Sequence, residues 1–186
     1  REGYVVGSPF PTFIGGRSEM TILTDLRHVV IGDQSDGNGL GVFTRVMESD
    51  AIIVEPFHQV NTQNVNTQTF AQVDAMSNGN YVVTCVDYLN TQLPAIKAQV
   101  MDRDGRQVGT EIMVSPPWPP NTNPDRGVDY ADIAGLANGG FVVTWNEIHS
   151  GKPDQNKILA RVFDDTGKAS SDIFQIGDTS GDYKTE

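Results

Sequence analysis

The stretch GDQSDGNGLG, residues 32–41, gathers Asp33, Ser35, Asp36 and Asn38 among glycines that let the backbone bend inward. A hard cation such as calcium takes about six to eight oxygen ligands, so these four residues are the candidate metal ligands and calcium is the candidate cofactor. The spacing is not that of an EF-hand, and the corresponding loops around Asp87 and Lys152 do not preserve it. A hairpin turn rich in Gly and Asp has the same composition and needs no metal. Three aromatic side chains near loops, Phe10 in GSPFPT, Trp118 in SPPWPP and Tyr130, are the candidate ligand-binding residues. Their flat faces can stack on sugar rings, and a rigid proline frame around Phe10 and Trp118 reduces the entropy lost on binding. Prolines around an aromatic residue also serve to pin a loop to a core.

Candidates for bond-breaking chemistry are scarcer. The three histidines, His28, His58 and His149, are spread along the chain without a Gly-x-Ser-x-Gly elbow or a His-Glu-x-x-His pair. The single cysteine, Cys85, stands where a neighbouring segment has Trp145, a strand-core position in which a thiol is inert. The acidic pairs Asp164-Asp165 and Asp102/Asp104 read as turn residues, with Asp present for local hydrogen bonding. No residue is therefore assigned a catalytic role. Two carboxylates able to hydrolyse a glycoside need a set separation across a cleft, which linear order does not display.

The elements that must position these residues are repeats. The phrase NGNYVVTC at 78–85 returns as NGGFVVTW at 138–145, and the match extends on both sides. FAQVDAMSNGNYVVTCVDYLN aligns with YADIAGLANGGFVVTWNEIHS, then IKAQVMDRDGRQVGTEIMVS with ILARVFDDTGKASSDIFQIG. A weaker copy precedes them, placing Val29, Val82 and Val142 at one position, 53 and 60 residues apart. Phe141, Val143 and Trp145 alternate with Val142 and Thr144, so both faces of that strand are apolar. Asn78-Gly79, Asn138-Gly139, Asp104-Gly105 and Thr166-Gly167 supply the positive φ that tight hairpins need. Each unit reads as a four-stranded antiparallel meander covered on both faces, as in the blades of a propeller. The expectation is an all-β chain with a terminal strand at 1–16 and units at 17–68, 69–127 and 128–186. Three blades are fewer than the roughly four to eight of a closed propeller, which leaves a dimer completing a six-bladed ring, a fragment of a longer array, or, as the alternative fold, a threefold β-prism or β-trefoil.

Leu136, Asn138, Gly139, Gly140, Phe141, Val142, Val143, Thr144 and Trp145, followed by Ala160, Arg161, Phe163, Asp164 and Gly167, carry a resemblance to a repeat of large secreted bacterial proteins of RTX and adhesin type. The second unit departs from it at Tyr81, Cys85 and Met101, and the first keeps mainly Val29, Val30 and Arg45. The resemblance implies an extracellular β-rich module, secreted or at the cell surface, and brings no catalytic residue with it. The calcium-binding nonapeptide of RTX rolls is not present.

A net charge of −11 over 186 residues argues against nucleic acid as a partner. No apolar run is long enough to span a membrane. Starting at Arg1, the chain reads as a processed product or a piece of a longer one. The leading functional expectation is a non-catalytic interaction module for adhesion, glycan binding or assembly, with a glycan, a protein or further copies of itself as partner. The alternatives are an enzyme acting on polysaccharide, with acidic side chains at the mouth of a ring, and a purely architectural fragment.

Overall fold

The structure, a computed structural model, describes residues 17–50, 57–63, 65–88, 94–115, 126–149, 152 and 155–178. Strands β1 (Ser18–Ile22), β2 (His28–Ser35), β3 (Leu40–Met47) and β4 (His58–Gln59) form one antiparallel sheet. Strands β5 (Thr67–Ala75), β6 (Tyr81–Tyr88), β7 (Pro94–Met101) and β8 (Gln107–Ser115) form a second. Strands β9 (Arg126–Gly135), β10 (Phe141–His149), β11 (Lys157–Phe163) and β12 (Phe174–Asp178) form a third. Within each sheet spatial order follows chain order, the simplest meander. The expected all-β, blade-like architecture is the one observed.

Period-two alternation decides how these sheets meet. On β6, Tyr81, Val83 and Cys85 point toward the first blade, where they join Val29, Ile31, Val42 and Val46 in one core. Val82 and Val86, at the alternate positions, point toward the third blade and join Phe141, Val143 and Trp145 in another. Trp145 is 1% exposed, and the rings of Phe141 and Phe163 stack with centroids 4.9 Å apart. Thr44 Oγ1 and the Tyr81 hydroxyl, 2.9 Å apart, hydrogen-bond across the first interface, and burial raises the Tyr81 phenol. The first strands also touch in series: β5 packs against both β1 and β9. These three inner strands mark an axis around which the blades are arranged.

Turn chemistry closes one end of each blade. Gly79, Gly105, Gly139 and Gly167 have φ of 91°, 83°, 95° and 85°, as the sequence demanded. The residue before each glycine stays out of the left-handed region, so these are type I turns followed by a left-handed glycine. Asp102 Oδ1 accepts from the amides of Asp104 and Arg106, and Asp164 Oδ1 from those of Thr166 and Lys168. The acidic pairs thus hold turns, as their composition suggested. Cys85 is a free, buried thiol whose pKa burial pushes up, in keeping with a structural cysteine.

Truncating Trp145→Ala is expected to cost about 3–5 kcal/mol, because its cavity opens in the middle of the core between the second and third blades. Gly135→Ala is expected to destabilise by another route: its methyl group would clash with the backbone carbonyl of Ala75 on the neighbouring inner strand. Chemical denaturation of both variants checks the assignment, and a loss under 1 kcal/mol for Trp145→Ala would contradict it.

Candidate active site

The two ends of the blades differ. One carries the tight turns; at the other, β2, β6 and β10 finish while β1, β5 and β9 begin. At this second end Arg17, Phe70 and Tyr130 occupy equivalent positions on the three inner strands, separated by the same 53 and 60 residues as the repeat. They form a ladder. The Arg17 guanidinium lies 4.7 Å from the centroid of the Phe70 ring, and that centroid lies 6.5 Å from the Tyr130 ring at an interplanar angle of 55°. Tyr130 is 59% exposed.

The backbone beneath the two rings is strained. Phe70 has φ of 54° and Tyr130 of 49°, a left-handed conformation costing roughly 1–3 kcal/mol for such side chains. Each sits at a register shift, between Thr69 and Gln72 on β5 and opposite the Thr144–Asn146 step on β9. These bulges turn the aromatic side chains out of the strict alternation. Carboxylates hold both bulges in place. The Tyr130 amide donates to Asp129 Oδ1 at 2.9 Å, and the Phe70 amide and the Thr69 hydroxyl both donate to Asp33.

Asp33 is 2% exposed. Burial raises its pKa, and the hydrogen bonds from Thr69 and Phe70 and the charge of Arg17 oppose that only in part. A carboxyl of this kind keeps its proton above the ordinary aspartate range, which suits a proton donor. Nearby, burial first and then Asp129 and Tyr130 push the Tyr88 phenol up.

Behind the ladder a buried polar chain joins two blades. Lys97 Nζ lies 2.6 Å from Asp87 Oδ2 and 2.8 Å from Glu111 Oε2. Gln68 Nε2 donates to Asp87 Oδ1 at 3.1 Å, Asn61 Nδ2 to Gln68 Oε1 at 3.0 Å, and the Val42 amide to Asn61 Oδ1 at 2.9 Å. Burial works to lower the Lys97 pKa, but hydrogen bonds and charge from Asp87 and Glu111 outweigh it and leave it raised. In the third blade the position of Asp87 is taken by Glu147, whose Oε1 lies 2.8 Å from His149 Nε2, both residues 5% exposed.

Of the residues singled out from sequence, Tyr130 belongs to the ladder, whereas Phe10 and Trp118 lie outside the described residues. Asp33 reaches across to the second blade. Ser35 ends β2 and is exposed, and Asp36 Oδ1 accepts from the Asn38 amide at 3.0 Å in a local turn. Among the described residues no three of His, Cys, Asp and Glu gather where they could hold a metal ion. Arg17 and Phe70 escaped notice, although applying the repeat offsets to Tyr130 leads directly to both.

The fold is similar to that of solved glycoside hydrolases. An endo-arabinase from Bacteroides thetaiotaomicron VPI-5482 matches 94% of this chain and 66% of its own at 14% identity, with a TM-score of 0.53. An alpha-L-arabinofuranosidase from Fusarium graminearum in complex with an iminosugar inhibitor matches 85% of this chain and 47% of its own at 10% identity, with a TM-score of 0.54. A mutant of that arabinofuranosidase matches over the same shares with a TM-score of 0.55. The chain thus spans about two thirds of the first enzyme and about half of the second. No family model and no curated protein matches it. The leading expectation of a non-catalytic module, and with it the leaning away from an enzyme, is corrected by these neighbours, which favour the polysaccharide-acting alternative. Those expectations rested on the lack of a catalytic motif along the chain, and Asp33 and Asp129, which hold the two bulges, lie on different blades and form none.

The raised pKa of Asp33 carries a signed prediction. Below the usual aspartate value, near pH 4, folded and unfolded states are both protonated and burial of the neutral group is unopposed. As pH rises toward the higher folded value the unfolded state ionises first, so the contribution of Asp33 to stability falls. The difference in melting temperature between wild type and Asp33→Asn is expected to shift against the wild type across that interval and then level off. Calorimetry over pH 3–7 reads this, and a flat difference would rule out the raised value.

Proposed function

We propose that the chain is, or is part of, a polysaccharide-acting enzyme that hydrolyses glycosidic bonds at the axial mouth where the inner strands begin. The observation that carries this reading is the ladder itself: two equivalent aromatic residues held in a strained conformation by two carboxylates, beside an arginine. Sugar rings stack on Phe70 and Tyr130. Asp33, the carboxyl that favours its proton, serves as the acid that protonates the leaving oxygen, and Asp129 serves as the second carboxylate. Because the similar structures are an endo-arabinase and an alpha-L-arabinofuranosidase, arabinose-containing polysaccharides are the first substrates to try. A secreted or cell-surface location agrees with such substrates and with the repeat resemblance to exported bacterial proteins.

Sugar release from arabinan and arabinoxylan should fall by about 10²–10⁴ in kcat for Asp33→Asn, the range for loss of a general acid. Tyr130→Ala should act mainly on KM, by about 3- to 10-fold for one lost stacking contact. Undiminished activity in Asp33→Asn would remove it from the mechanism, and inactivity of the wild type on a broad polysaccharide panel would sink the reading.

Calcium in the 32–41 loop is a second, separate proposal. Its support is Asp36 Oδ2, a buried oxygen with no hydrogen-bond partner among the described residues, facing the Gly41 backbone beside Asn61 Oδ1 and Gln59 Nε2. Titration calorimetry with calcium should give a saturable isotherm that Asp36→Asn abolishes, and no heat from the wild type would dismiss it.

A further inference from the structure

Among the described residues, the middle blade buries both of its faces, and the end blades bury one each. Val82 and Ile96, on the face the second blade turns to the third, are 0% exposed. Their equivalents on the outward face of the third blade, Val142 and Ile158, are only half-buried, and Phe174 beside them is 42% exposed. The outward face of the first blade is similarly open. Val30 is half-buried where its equivalent Val83 is 1% exposed, and Met20 and Ile22, which pair with Val30 and His28, are 58% and 53% exposed. The two cores join blade one to two and two to three; neither joins one to three.

We infer that these two faces cover each other between two copies of the chain, closing one ring of six blades. Blade packing alone leads to this ring, independently of the proposed reaction. Each open face is the repeat equivalent of a face already buried inside the chain: Val142 corresponds to Val29 and Val82, and Val30 to Val83 and Val143. The third blade of one copy therefore presents to the first blade of another the same kind of surface that the first presents to the second. Such a head-to-tail contact closes when the rotation between units divides a full turn, and two three-bladed halves do so with twofold symmetry. Six blades fall within the usual range of roughly four to eight. Charge agrees too, since Arg45 pairs with Val30 on one open face and the exposed Asp132 pairs with Thr144 on the other.

Closure has a consequence for the axial mouth. In the series Arg17, Phe70, Tyr130, the next inner strand after Tyr130 belongs to the second copy and brings its own Arg17. The exposed Tyr130 ring then gains the neighbour that Phe70 already has, and the mouth is lined by both copies.

Light scattering or native mass spectrometry on the chain tests this. A particle of twice the chain mass is expected. Val30→Glu and Val142→Lys should each give monomers with unchanged circular dichroism, because both positions are half-open in a single copy. An equimolar mixture of the two variants should regain the doubled mass, since one interface then pairs Glu with Lys and the other is wild type. A wild-type monomer, or an open-ended polymer, would overturn the ring, as would variants that stay dimeric. The polysaccharide assay is read separately: doubled mass without sugar release rejects the reaction and leaves the ring intact, and sugar release by a monomer does the reverse.

Discussion

A sheet with apolar side chains on both faces cannot stand alone in water, and every other feature of this chain answers to that constraint. Alternation along β6 sends Tyr81, Val83 and Cys85 to one side and Val82 and Val86 to the other. Each such side chain contributes roughly 1.5–3 kcal/mol only if something covers it. Stacking blade on blade is the arrangement that covers both sides at once, and it forces the first strand of each meander toward a common axis. Short turns with a left-handed glycine keep each meander compact enough to stack. The axis, and with it the place where a site can form, follows from two-faced burial and not from any residue at the site.

The polar groups occupy what this stacking leaves over. Buried ions are costly unless fully paired, and Lys97 meets that condition with Asp87 on one side and Glu111 on the other. Gln68 and Asn61 extend the pairing to the Val42 amide of the first blade. An apolar set of equal volume would give comparable stability, but it would not fix the relative register of the two blades at the loop end. The chain of hydrogen bonds does so, because a shift of either blade would leave the buried amides of Asn61 and Gln68 unpaired. That rigidity is what a site built from three different strands needs, since each blade contributes one rung of the ladder.

Much of the architecture was legible because it repeats. NGGFVVTW and NGNYVVTC announce a strand covered on both faces and a glycine turn before it, and Trp145, Cys85 and the four turn glycines sit as that pattern requires. Of the ladder residues, the sequence pointed to Tyr130 alone. Asp33 stood out only as an oxygen donor beside Ser35, Asp36 and Asn38, and its hold on the Phe70 bulge comes from its place on β2. Asp33 continues the face of Val29 and Ile31 and so looks at the second blade. Phe70 was hidden for a different reason. A bulge interrupts the alternation at that residue, and nothing in FAQVDA marks where a strand will break register.

The strained pair is the most informative part of the molecule. If Phe70 and Tyr130 served only to fill space, an ordinary extended conformation on the blade face would bury them without penalty. Both instead adopt a left-handed backbone at the same place in two units that differ in much of their sequence. The carboxylates that hold them are not themselves repeated: Asp33 reaches in from the preceding blade, whereas Asp129 is the residue adjacent to its ring in sequence. Two different solutions for one backbone geometry indicate that the geometry, and the aromatic surface it presents at the axis, is the constrained quantity. At the equivalent position of the first unit the aromatic ring gives way to Arg17, which lies over Phe70 and faces Asp33 electrostatically. A repeated scaffold thereby obtains a mouth whose three rungs are chemically distinct, and that asymmetry allows one direction around the axis to be told from the other.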